Sequence, residues 1–141
     1  MGQLKDRVAL VTGGGRGIGL GIVERFLLEG SKVVIAQRSN LNEELEQNQN
    51  IAFVRIDLSQ GSSLNTVVPF TISRFGKLDI LVNNAGIMFS STLEEMEAEA
   101  WDRMLNVNLR APVLLCKHAL PEMKKQGGGS IINIGSIEAT S

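Results

Sequence analysis

The chain of 141 residues has no tyrosine, one tryptophan, one histidine and one cysteine. Without tyrosine, these residues offer no phenol for acid–base work. The lone cysteine, Cys116, excludes an internal disulfide and suits a reducing compartment. Excess charge is also lacking. Fourteen basic against fifteen acidic residues leave a net charge of −1, which gives no electrostatic case for nucleic acid or an anionic membrane surface. No apolar run approaches the roughly 20 residues needed to cross a bilayer. The opening MGQLKDRV carries charges where a secretory signal needs its apolar segment. Asp6 stands where a myristoylation motif beginning at Gly2 requires Ser or Thr. The expectation is a soluble, cytoplasmic protein, without nucleic-acid or membrane partners. Its length suits a single domain, residues 1–141, able to bury a sizeable core.

Glycine is what the chain has in plenty. Residues 8–21 read VALVTGGGRGIGLG, an apolar run followed by six glycines in nine positions. Val8–Val11 is expected to form a buried strand, and Ile18, Ile22, Val23, Phe26 and Leu27 recur at helical spacing. A strand that breaks into glycines and re-forms as a helix brings bare N–H groups to the positive end of the helix dipole. Such a turn favours a phosphate near residues 14 to 19. The common dinucleotide spacing G-x-G-x-x-G fails, because counting from Gly13 the third glycine falls on Ile18. The nucleoside-triphosphate loop fails too, since Leu20 and Gly21 follow Gly19 where lysine is needed. What fits is Thr12-Gly13-x-x-x-Gly17-Ile18-Gly19, with Gly14, Gly15 and Arg16 filling the gap.

One pattern repeats along the chain: helix, glycine, short polar step, apolar strand. It appears in FLLEGSKVVIA, ISRFGKLDILV and MKKQGGGSIINI. Glycine just past a helix end caps it, and the β-branched runs that follow read as strands buried on both faces. Strands are expected near 7–12, 32–37, 51–57, 78–83 and 130–135. Helices are expected near 17–29, 41–47, 62–75 and 92–126, the last broken at Pro112 or Pro121. Pro69 falls inside the third helical pattern, so that helix is bent or starts later than the pattern suggests. The alternation predicts an α/β fold, a doubly wound parallel sheet ending at its fifth strand. Ligands of such sheets bind beyond the C-terminal strand ends, where the glycines sit.

The other strand ends carry polar residues. After the second strand comes Gln37-Arg38-Ser39, where an NAD-preferring enzyme places an acid for the ribose hydroxyls. Neutral Gln37 and cationic Arg38, with Arg16 nearby, would welcome a 2′-phosphate, which makes NADP the preferred cofactor and NAD the second choice. Two solvated surface arginines are the bland alternative. After the third strand, Asp57 and Leu58 are placed to touch an adenine; alternatively Asp57 caps the turn that follows. After the fourth comes Asn83-Asn84-Ala85-Gly86. Ala85 and Gly86 are small enough for a ligand to approach the backbone, and the Asn84 amide is suited to bridging strands.

Thr12–Gly19, Asp57, Asp79–Gly86, Trp101, Asn108-Leu109 and Ile131–Ser136, in this order, resemble the short-chain dehydrogenase/reductase superfamily over the whole chain. The resemblance implies a Rossmann fold and hydride transfer between a nicotinamide and a small alcohol or carbonyl substrate. It also implies a homo-oligomer, dimer or tetramer. In that family a tyrosine, its pKa lowered by a lysine four residues on, is the general acid/base. By position Ser136 corresponds to the family serine that orients the substrate oxygen, and Asn108 to the asparagine that holds a water of the proton relay. Residue by residue, a strand-end hydroxyl and an amide at a helix bend are the plainer readings. The chain departs from the pattern at one point. The Tyr-x-x-x-Lys pair is expected about a dozen residues past Ser136, and the sequence stops at Ser141. Lys124 and Lys125 precede the fifth strand, and Cys116 and His118 lie in an apolar stretch more typical of packing than catalysis. The fifth strand, SIINIG, would be a bare apolar edge. The sequence is therefore expected to be the N-terminal part of a larger enzyme, inactive by itself. The alternative is a non-catalytic dinucleotide-binding module, a sensor or assembly partner.

Overall fold

A computed structural model describes residues 2–137. Five strands, β1 (Val8–Thr12), β2 (Lys32–Gln37), β3 (Ile51–Arg55), β4 (Ile80–Asn83) and β5 (Ser130–Asn133), form one sheet in the order β3-β2-β1-β4-β5. Every neighbouring pair is parallel, with Val11 opposite both Ile35 and Val82. Helices α1 (Gly17–Leu28), α2 (Glu43–Gln47), α3 (Val67–Phe75), α4 (Ala98–Leu105) and α5 (Ala111–Lys125) connect them. This is the doubly wound, Rossmann-like α/β sheet that the alternation predicts.

Two-sided burial explains the continuous apolar runs. Ala9, Val11, Val33, Ile35, Ile80 and Val82 face α1 and α2, where Val23 and Leu45 meet them. Leu10, Val34, Ala36, Ala52 and Leu81 face the opposite layer, packed by Val67 and Val68 of α3 and Leu115 and Ala119 of α5. Adjacent residues of one strand thus serve opposite cores, as a period of two demands. Each fully buried Leu, Ile or Val contributes about 1.5–3 kcal/mol relative to exposure. β5 is the exception to burial on both faces: only Ile131 is part-buried, and among the described residues the strand pairs with β4 alone. Gly30, Gly76 and Gly127, at φ near 90°, follow the last turns of α1, α3 and α5 in the left-handed conformation that favours glycine.

Three expectations about helices are corrected. The 62–75 pattern is a 3-10 helix at Gly61–Thr66 followed by α3 starting at Val67. Pro69 therefore sits in the first turn of α3, where a missing N–H costs little. The 92–126 helix begins only at Ala98, and its break lies before Pro112 rather than at Pro112 or Pro121. A π-helical turn, Asn106–Arg110, intervenes, and the Ala111 N–H donates five residues back to the Asn106 carbonyl. Pro112 explains the widening. It has no N–H for the Asn108 carbonyl, and its ring crowds that oxygen in a normal α-turn. Pro121 stays inside α5, since the Lys117 carbonyl it deprives belongs to an exposed residue that water can reach. Strands β3 and β5 also end before their apolar runs do, the remainder continuing into the loops at the C-terminal sheet edge, while β4 starts only at Ile80.

Candidate functional site

The glycine turn is fastened to β4 from below. The Thr12 hydroxyl oxygen accepts from the Asn84 N–H at 3.0 Å and the Ala85 N–H at 2.9 Å. The Asn84 amide donates back to the carbonyls of Thr12, at 3.1 Å, and Gly13, at 3.2 Å. Asn84 therefore bridges the ends of β1 and β4. The glycines permit close approach. A Cβ on Gly19 would stand 2.1 Å from the Gly13 carbonyl oxygen, and one on Gly13 3.1 Å from the Ala85 Cα. No side chain caps α1, whose N-cap residue is Arg16, so the first N–H groups of that helix have no side-chain acceptor.

Gly13, Arg16, Gly17, Ile18, Gly19, Arg38, Asp57, Leu58, Asn84, Ala85 and Gly86 line one cleft of about 510 Å3 at the C-terminal ends of the strands. Gly14 and Gly15 do not line it. A Cβ on Gly14 would meet Val23 and Ile35 of the core, so this glycine allows α1 to pack on the sheet. Gly15 lies against Gln37, whose Oε1 accepts the Gly15 N–H at 2.8 Å. The Gln37 Nε2 donates to the Ser39 carbonyl at 3.0 Å and to the Ser39 hydroxyl at 3.2 Å. The buried Gln37 amide thus ties the glycine turn to the loop that carries Arg38.

Asp57 does cap the turn after β3, as one of its two readings expects. Its Oδ1 accepts from the Ser59 N–H at 2.9 Å and the Ser59 hydroxyl at 2.7 Å. Its Oδ2 pairs with Arg103 at 3.2 Å. Burial pushes the carboxyl up, but Ser59 and the Arg103 guanidinium outweigh it and hold Asp57 below the usual carboxylate range. Arg103 is a cleft residue with no local signal in the sequence, since α4 reaches the β3 end only through tertiary packing. Asn108 stands behind Gly86, in the π-helical turn. Its amide donates to the Ile87 carbonyl at 2.7 Å, and its Oδ1 accepts the Ile87 N–H at 2.8 Å. Ser136 is exposed, three residues beyond β5, and is not among the residues lining the cleft. Cys116 and His118 are half-buried on α5.

The charge balance of the cleft is positive. Arg16, Arg38 and Arg103 face one carboxylate, and the first two make no ion pair among the described residues. A larger hollow, about 800 Å3, opens at the opposite strand ends around Asp79. That carboxylate is already taken up by the Val8 N–H, Arg7 and Lys77, and the hollow lies away from the end where parallel sheets bind ligands. Among the described residues no group of three or more His, Cys, Asp or Glu is placed to hold a metal, and no helix is long and apolar enough to cross a membrane.

Comparison with known proteins agrees with this architecture. An uncharacterized oxidoreductase of Thermotoga maritima is 39% identical over 143 aligned residues, covering 97% of this chain and 56% of its own length. A 2,5-dichloro-2,5-cyclohexadiene-1,4-diol dehydrogenase of Sphingobium indicum is 39% identical, with 96% of this chain and 56% of that protein covered. A probable galactose dehydrogenase of Rhizobium meliloti is 38% identical at the same coverage. The chain thus spans little more than half the length of these relatives. The family profile described as short chain dehydrogenase matches residues 7–141. With that match over nearly all of its length, the chain belongs to the short-chain dehydrogenase family.

Proposed function

We propose that the cleft binds NADP(H), with NAD(H) as the weaker alternative, and that the chain supplies the cofactor-binding part of an oxidoreductase acting on a small alcohol or carbonyl compound. The observation that carries this reading is two cations without ion pairs among the described residues, Arg16 and Arg38, beside the N-terminus of α1, which no side chain caps, in one cleft. The residues fit such a cofactor: Gly13, Gly17 and Gly19 line the cleft at the uncapped N-terminus of α1, and a Cβ on Gly17 would meet nothing, so bare backbone stands where a phosphate needs it. In this assignment the N–H groups opening α1 hold the diphosphate. Arg38 and Arg16 take the 2′-phosphate, Asp57 and Leu58 take the adenine, and Asn84, Ala85 and Gly86 form the floor. When bound, the nicotinamide supplies the hydride donor or acceptor. Asn108 fixes the loop after β4 through Ile87, and Ser136 is assigned to orienting the substrate oxygen. Two of the relatives are named for a diol and for galactose, which supports a hydroxyl-bearing substrate.

Without a tyrosine, residues 1–141 on their own are expected to bind cofactor and turn over no alcohol or ketone. The alternative is a dinucleotide-binding module without catalysis. Calorimetric titration of the purified chain with NADPH and NADH tests the binding. Tighter NADPH binding supports the proposal, and no binding of either overturns it. An intact mass of the native protein combined with a turnover assay separates enzyme from module. Further residues together with turnover support the enzyme; these 141 residues alone, binding without turnover, support the module.

A further inference from the structure

Asp57, Ser59 and Arg103 form a closed ring at one end of the cleft. Ser59 donates its hydroxyl to Asp57 Oδ1 at 2.7 Å, and Arg103 Nη1 donates both to Ser59 Oγ at 2.9 Å and to Asp57 Oδ2 at 3.2 Å. A carboxylate accepts about four hydrogen bonds, two per oxygen. Oδ1 is filled by Ser59, and Oδ2 keeps one position after Arg103 has taken the other. Arg103 comes from α4, a helix with no buried residue, and both partners in this pair are part-exposed in the cleft wall. Among the described residues this pair and the contact with Ser59 are the only side-chain polar links from α4 to the sheet layer.

We propose that Arg103 is a positioning residue for the nucleotide: by holding Asp57 Oδ2 from α4, it leaves that carboxylate one acceptor position for the amino group of an adenine and keeps α4 as the wall beside it. The inference rests on the cleft binding an adenine dinucleotide and adds the residue that orients its adenine end. The ring is a better orienter than Ser59 alone, because Ser59 engages only Oδ1 and leaves Oδ2 free to rotate into solvent or pair with a surface cation.

The test uses two probes on the whole chain: adenosine 2′,5′-bisphosphate, which carries only the adenine end of the dinucleotide, and reduced nicotinamide mononucleotide, which lacks it. In Arg103→Met, which keeps the stem but no donor, the dissociation constant for the adenosine probe is expected to rise about tenfold, the loss of roughly one hydrogen bond to a charged group. The mononucleotide constant stays within twofold. Arg103→Lys, which restores one charged donor, recovers most of the loss. Equal weakening of both probes, or Lys behaving like Met, overturns the proposal in favour of a general loosening of α4. Unchanged adenosine binding in the Met variant overturns it outright. Failure of the unaltered chain to bind either probe overturns the dinucleotide reading itself and this inference with it, and is told apart by needing no variant.

Discussion

The Thr12 hydroxyl oxygen accepts two successive backbone N–H groups, those of Asn84 and Ala85, and so locks the end of β4 to the end of β1. Thr12 is 2% exposed, so water cannot replace it. Thr12→Val keeps the shape and strands both donors. Each orphaned N–H costs about 1–3 kcal/mol where buried, and less here because Asn84 and Ala85 are only part-buried. Urea unfolding is expected to show a loss of about 2 kcal/mol for Thr12→Val and less than half of that for Thr12→Ser. NADPH affinity should fall in step for Val, since the cleft floor is the same segment. A Val variant as stable as the original would remove this lock from the account.

Much of this was legible in the sequence, for a physical reason. The glycine turn, the four strand ends and their order depend on local patterns: apolar runs, helix-capping glycines and short polar steps. The pairings that finish the site do not. Gln37 reads as a neutral residue beside Arg38, yet its amide joins two loops through Gly15 and Ser39, a contact fixed only when β1 and β2 lie in register. Arg103 carries no local signal, because its partners Asp57 and Ser59 lie more than forty residues earlier. Pro112 marked a disturbance in the long helix, but only backbone geometry reveals that the disturbance is a π-helical turn placed before it.

Arg38 lines the cleft without an ion pair among the described residues, and its charge is free to meet a ligand's. Replacing it by aspartate reverses that charge and offers an acceptor to ribose hydroxyls. Arg38→Asp is expected to weaken NADPH binding about 10- to 100-fold while NADH binding holds or improves, the scale of one to two lost charge-assisted bonds. Raising the salt concentration should shrink the NADPH preference of the original chain, because the pair is exposed. An unchanged ratio of the two dissociation constants in the variant would show that Arg38 does not select the cofactor.

Asn108 spends both ends of its amide on the backbone of Ile87. Those two bonds are the described side-chain ties between the π-helical turn and the loop 84–97. Asn108→Ala is expected to loosen that loop at a cost of about 1–2 kcal/mol. A glutamate-specific protease reports it directly, since Glu94, Glu95 and Glu97 lie in or beside the loop. Cleavage there should speed up several-fold in the variant while sites in α2 are cut as before. Equal acceleration at both places would indicate global destabilisation instead.

Asp79 is one carboxylate whose ionisation ties stability to pH. Burial pushes its carboxyl up, but the Val8 N–H at 2.9 Å, Lys77 at 3.1 Å and Arg7 at 3.0 Å outweigh that and hold it below the usual carboxylate range. With the folded pKa lower than the unfolded one, the unfolded chain binds more protons in the acid range, so stability rises with pH there. The contribution is fully present above the unfolded value of about 3.9 and is lost as pH falls through the folded value. Asp79→Asn keeps an acceptor for Val8 but ends both ion pairs. Arg7 and Lys77 are substantially exposed, so the loss is modest, about 1–2 kcal/mol at neutral pH and low salt. The gap in unfolding free energy between the two chains should be flat from about pH 5 upward and close as pH drops below about 4. A gap that stayed constant down to pH 2 would mean that the side chain stabilises the fold by packing and not by its charge.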